Sequence, residues 1–260
     1  MTNPAPERAK RPKFLFSTGL AAFFASLLFL APASILAPIL KATGADIQYQ
    51  EISGTIWRGS FNGVSTGEVY LGDVSFQLRP MALLTGAVSA DVTAQDGAAL
   101  GAGRIKLGLL PRQMMISNVN VAFDLSTVRR YTLFGIPYQG RVEARDATVV
   151  WSPDGCTQAQ GNIWTDVLDA TSKTLVNESL LLAGPASCEN GLMQITLKGA
   201  NRQGETEIKI AIDPAMTYRV MASVDLGRAD LENNLRQFGF EDDDGVMVFD
   251  VVGALKGAGS

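Results

Sequence analysis

The stretch TEIKIAIDPAMTYRVMASVDL, residues 206–226, decides the fold. Thr206, Ile208, Ile210 and Ile212 fall on one side of an extended chain, with Glu207, Lys209 and Ala211 on the other. After Asp213-Pro214 the alternation resumes, with Tyr218, Val220, Ala222, Val224 and Leu226 set against Arg219, Met221, Ser223 and Asp225. A period of two is the signature of a strand with one wet and one apolar face, whereas a helix would repeat at three and four. Two such strands joined by a short proline turn read as an antiparallel pair.

Working outward, the same pattern recurs. Val74, Phe76 and Leu78 alternate with polar neighbours, as do Val88, Ala90, Val92 and Ala94, then Val119, Val121, Phe123 and Leu125, and later Met193, Ile195 and Leu197. Asn62-Gly63, Asp96-Gly97, Asp154-Gly155, Asn190-Gly191 and Asp244-Gly245 stand between the runs as hairpin-turn signals. The predicted fold is mostly β, an antiparallel meander. Its single apolar face must be covered by folding into a sandwich, by curling into a half-barrel or twisted sheet, or by a ligand. Helix is scarce: a short turn from Pro80 to Gly86, a brief helix over Ser126 to Tyr131, and Ala229 to Phe238, with Leu231, Leu235 and Phe238 on one face, Asp230 as N-cap and Gly239 as stop. Gln160 to Ala186 reads as polar and irregular.

The N-terminus is of a different kind. Arg8, Lys10, Arg11 and Lys13 precede 27 residues, Phe14 to Leu40, that carry no Asp, Glu, Lys or Arg. As a helix at ~1.5 Å per residue this run reaches ~40 Å, enough for a ~30 Å hydrocarbon layer. A cleaved signal peptide would use Leu15 to Leu30 with Ala31-Pro32-Ala33 as its cleavage site, but the run is long for that purpose and proline sits within the site. The expectation is a retained signal-anchor, with residues 1–13 cytoplasmic by the positive-inside rule, 14–40 spanning the membrane, 41–255 an exported β-rich domain and 256–260 a flexible tail.

Composition narrows the function classes. The first 41 residues hold five cations and one anion, leaving 17 Lys and Arg against 25 Asp and Glu beyond them. An acidic domain of this kind excludes the electrostatic footprint of a nucleic-acid binder. Histidine is absent from the chain, which excludes Ser-His-Asp and Cys-His catalysis and His-containing zinc sites. No nucleophile elbow, phosphate loop or dinucleotide fingerprint appears, so the expected catalytic, cofactor-binding and metal residues are none. Glu241-Asp242-Asp243-Asp244 lacks the spaced oxygens of a calcium loop and reads as a solvated turn, and Arg129-Arg130 as a helix-end charge pair. The two cysteines, Cys156 and Cys188, both lie in the exported part, where an even count points to one disulfide.

Just past the anchor stands Glu51-Ile52-Ser53-Gly54-Thr55-Ile56-Trp57-Arg58-Gly59. Gly54 and Gly59 permit tight backbone at either end, and Trp57 supplies a large amphipathic anchor; Gly161-Asn162-Ile163-Trp164 echoes it. An N-terminal anchor, this motif, and then Leu78-Arg79-Pro80 with Leu83-Leu84 and Gly86 together resemble the type II secretion system protein N (general secretion pathway protein N) family. Cys156 with Gly161 to Trp164 resembles that family's mid-chain cysteine segment. Tyr218-Arg219-Val220, Leu231 to Phe238 and the closing run Val246 to Leu255 resemble its C-terminus. The resemblance implies a non-enzymatic component of protein export whose partners are other secretion subunits: inner-membrane platform, pseudopilins or secretin. The Gly-Thr-Ile-Trp-Arg-Gly element is similar, more weakly, to AsmA/TamB-like envelope proteins, which implies a lipid or other apolar ligand on the sheet.

Overall fold

The computed structural model describes residues 13–38, 47–67, 69–127, 132–133, 136–137, 139–215, 217–225, 229–237 and 239–254. The basic flank before Lys13, Ile39 and Leu40, the Arg129-Arg130-Tyr131 segment, Leu226, Phe238 and the tail after Ala254 lie outside the described residues.

Helix α1 covers Lys13–Leu30, and every side chain described on it is exposed. Pro32, with no N–H to donate and a ring that disfavours helix before it, ends the helix inside the apolar run. The 18 residues of α1 reach about 27 Å at 1.5 Å per residue, and among the described residues no helix is long and apolar enough to cross a membrane. A 3-10 turn, Ala33–Ile35, follows, and Pro32 bridges to Thr55.

Among the described residues, seventeen strands make up most of the remainder. They are β1 Ile47–Gln48, β2 Glu51–Gly54, β3 Arg58–Thr66, β4 Val69–Leu78, β5 Ala87–Gln95, β6 Ala99–Gly108, β7 Gln113–Asp124, β8 Thr132–Leu133 and β9 Ile136–Pro137. After these come β10 Arg141–Ser152, β11 Gly155–Thr165, β12 Leu182–Glu189, β13 Leu192–Asn201, β14 Gly204–Ile212, β15 Thr217–Asp225, β16 Glu241–Asp243 and β17 Val246–Ala254. Helices α2 (Pro80–Leu83), α3 (Asp169–Val176) and α4 (Ala229–Gln237) interrupt them.

All strands but β8 and β9 join one 15-stranded antiparallel sheet, in which chain neighbours are almost everywhere sheet neighbours. Its ends, β1 and β16, do not pair with one another, so the sheet is open. The meander read from the alternation is thus present, and the sandwich alternative is not. In a sandwich the inward residues would be fully covered, whereas Ile208, Ile210, Val220 and Val121 are only half-buried. The chain exposes 16962 Å², against about 11,000 Å² for a compact protein of this mass.

Three local expectations are corrected. Asn62-Gly63 does not turn the chain; it lies inside β3 at a bulge, where Gly63 takes φ +65° and its N–H is satisfied by Asp73 Oδ1 at 2.8 Å. Gln160 to Ala186 is ordered as the end of β11, helix α3 and the start of β12. Helix α4 begins at Ala229, which places Asp230 within its first turn and not at the cap, while Gly239 (φ +87°) follows its end as expected. Asp96, Asn190 and Asp244 adopt positive φ in their hairpin turns, the backbone that primed turns need.

Candidate functional site

Residues opposite one another in an antiparallel ladder share a face, so the register traces continuous apolar rows across the sheet. One row runs Phe61, Val74, Ala94, Gly101, Val121, Ala144, Ile163, Gly184 through eight successive strands. Three more cross the C-terminal part: Cys188–Met193–Ile212–Tyr218–Gly253, Ala186–Ile195–Ile210–Val220–Val251, and Leu197–Ile208–Ala222–Phe249.

The face is covered in three places. Near the N-terminus, Ala33 is buried and Phe29 packs on Trp57 with ring centres 5.7 Å apart. Midway, Leu180 and Leu182 press on Leu197, with Ile163, Leu168, Ile195 and Ile208 around them. Asp169 fastens this cover: Oδ1 accepts from Ser179 Oγ at 2.5 Å and Leu180 N–H at 3.1 Å, and Oδ2 from Lys173 Nζ at 2.6 Å. Burial pushes the Asp169 carboxyl up, but these donors outweigh it and hold it below its ordinary value. At the C-terminal end, Leu235 of α4 closes on Phe240 and Met247, backed by Ala222, Val224 and Phe249. Between these covers the rows stay half-open, and Val251 is 39% exposed.

The opposite face is polar and ion-paired. Asp91 receives Arg79 and Arg104, each at 2.7 Å, and although burial pushes its carboxyl up, the two guanidiniums hold it below the usual range. Glu207 takes Lys198 at 3.3 Å and Lys209 at 3.4 Å, and Arg219 grips Asp250. Both sheet edges are short: β1 has two residues, and β16 is the exposed acidic run Glu241–Asp243, an edge strand where the sequence suggested only a turn. Short, charged edges limit unspecific strand pairing. Among the described residues no group of three or more Cys, Asp or Glu is placed to hold a metal.

Gly54 and Gly59 flank the tight turn from β2 to β3 that carries Trp57. Gly54 sits at φ +88°, and a Cβ there would strike the Arg58 carbonyl. A Cβ on Gly59 would lie 2.8 Å from Phe76 Cζ and 3.0 Å from Ala33 Cβ, so glycine lets the 3-10 turn seat on the sheet. Trp164 is elsewhere: it stands within β11 opposite Glu143, on the face away from Ile163. The two tryptophan segments are therefore not copies of one structural element. Cys156 and Cys188 form a disulfide with Cα atoms 5.6 Å apart. It joins β11 to β12 where their ladder, ending at Asn162 opposite Pro185, has stopped; proline cannot donate the next bond. The cover built by Leu168, Leu180 and Leu182 escaped the sequence reading, because Leu168 and Leu180 lie in connecting segments outside any alternating run.

Residues 45–250 match the family described as "Type II secretion system (T2SS), protein N". The chain is similar to the type II secretion system protein N of Vibrio cholerae serotype O1, at 24% identity over 226 residues, covering 83% of this chain and 85% of the relative. No solved structure matches it.

Proposed function

The chain belongs to the type II secretion system protein N family, and from that premise we propose that it is a non-enzymatic, inner-membrane-anchored periplasmic component of the secretion machine that acts by binding other subunits. Residues 14–40 serve as the anchor, with the basic flank cytoplasmic and residues 41–255 in the periplasm. The observation that carries the reading is the open sheet. Apolar rows left half-exposed between the covers offer a surface for a helix or pilin-like segment, and the edges at β1 and β16 can accept a partner strand. Gly54, Trp57, Gly59 and Trp164 act as packing residues and the Cys156–Cys188 bridge as a staple, with no catalytic, cofactor or metal residue among them.

A photo-reactive residue at Ile210 or Val251 in the full chain, expressed in cells that carry a type II secretion apparatus, tests this. Platform, pseudopilin or secretin subunits are expected among the cross-linked products. Products containing only lipid would refute the protein-binding reading. They would favour a second reading, in which the same rows hold a lipid or apolar ligand, supported by the continuity of the rows across eight strands.

A further inference from the structure

Beyond α1, the four most exposed large apolar side chains among the described residues lie together, whereas the next, Val252 at 62%, is on β17. Leu110 is 94% exposed, Leu84 83% and Met81 75%, with Leu109 at 64% and Leu83 at 50%. They belong to two tips that touch. Helix α2 and Leu84 cap the start of β5, and the β6–β7 turn, Leu109-Leu110-Pro111-Arg112, lies beside it, with Leu109 N–H donating to Gly86 O at 3.0 Å.

Turns ordinarily carry Gly, Asn, Asp or Ser, and elsewhere this sheet obeys that rule. Asp154-Gly155, Asn190-Gly191 and Asp213-Pro214-Ala215 stand in hairpin turns at the same end of the sheet, farther along it. Among the described residues, leucine tips occur only on strands β4 to β7. That is where α1 enters: Ile56 N–H donates to Ala31 O at 2.9 Å, and Leu78 N–H to Trp57 O at 2.8 Å. Leu78 leads directly into Arg79 and α2, so the end of α1, Trp57 and the leucine tips line one rim. Lys106 and Arg112, both exposed, flank the tips, and Arg79 stands beside them held by Asp91. Leucines at the apex with cations behind them are the pattern of an interfacial insertion, in which apolar side chains enter the acyl boundary and cations meet anionic headgroups.

We propose that α2 and the Leu109–Arg112 turn form a second membrane contact, dipping into the outer leaflet of the bilayer in which residues 14–40 are anchored and holding the sheet upright on it. The proposal rests on the anchor reading of α1. It accounts for leucines that nothing else in the described chain covers, and it leaves the half-open apolar rows free for partners.

The test places an environment-sensitive fluorescent amino acid singly at positions 24, 84, 96 and 110 of the full chain. Each form is reconstituted in phosphatidylethanolamine/phosphatidylglycerol vesicles with or without brominated acyl chains. Position 96 lies at the far end of β5, about 30 Å away at ~3.4 Å per residue. Brominated lipid is expected to quench the probe about twofold or more at positions 24, 84 and 110, and not at 96. Quenching at 24 alone, with 84 and 110 open to aqueous iodide, would overturn the second contact while leaving the anchor intact. No quenching at 24 would remove the anchor, and the proposal with it. In a second measurement, Leu84→Glu with Leu110→Glu should abolish quenching at a probe on Met81 while that at position 24 persists; unchanged quenching at Met81 would also overturn the contact.

Discussion

Leu182 and Ile210 together ask whether the apolar face of the sheet is open. Both lose three carbons on substitution by alanine. Leu182 is fully buried, packed within the Leu180–Leu197 cluster, so Leu182→Ala forfeits about 2.4 kcal/mol of transfer free energy at ~0.8 per methylene, plus a cavity term, for a total near 3–4 kcal/mol. Ile210 stands in an apolar row with its neighbours Ile195 and Val220 but is only half-covered. Ile210→Ala should therefore lose about 1.5–2 kcal/mol, with no cavity to add. At an m-value of about 2 kcal/mol/M the two urea midpoints should fall by roughly 1.5–2 M and 0.75–1 M. The assay is urea unfolding of the full chain in lipid nanodiscs, followed by the fluorescence of Trp57, Trp151 and Trp164. Equal losses at the two sites would mean the row around Ile210 is as dry as the Leu182 cluster, and the docking argument built on its exposure would fall.

Three further outcomes are expected. Replacing both Cys156 and Cys188 by alanine releases a loop of sequence separation 32, which in the chain-entropy account lowers stability by about 3–4 kcal/mol, read as a urea-midpoint shift between oxidised wild type and the variant. Gly59→Ala forces Phe76 and Ala33 apart at a cost of about 1–3 kcal/mol, and limited proteolysis should then cut faster between Ala31 and Ile35. Asp169 has its carboxyl held below 3.8 when folded, so its contribution is present above the unfolded value and is lost as pH falls through the lower folded one. Asp169→Asn should cost about 1 kcal/mol at neutral pH and flatten the loss of stability that sets in below about pH 4, measured as urea midpoint against pH.

Period-two alternation made the strands and their antiparallel order legible, since each side chain reports its face by position alone. The Asp-Gly and Asn-Gly turns were equally plain, except where Asn62-Gly63 formed a bulge. A bulge and a primed turn ask for the same backbone, and only the pairing of Phe61 and Val64 with β4 separates them. Helix α3 was hidden because its sequence, Asp-Ala-Thr-Ser-Lys-Thr-Leu-Val, has little apolar stripe and gains its place through Asp169 and the leucines beyond it.

By itself the sequence determined the local matters: strand after strand with one apolar face, an uncharged N-terminal run behind a basic flank, an acidic domain without histidine, and a cysteine pair. These follow from composition and from neighbours within a few residues. The tertiary structure decided what becomes of the apolar face. Whether fifteen one-sided strands close on themselves or remain open depends on register and on which distant segments return to cover them. Here Leu180, Leu235 and Ala33 cover only parts of the face and leave the rows between them half-exposed. The cluster of leucine tips beside the end of α1 is of the same kind, since Leu84 and Leu110 become neighbours only when β5 and β6 pair.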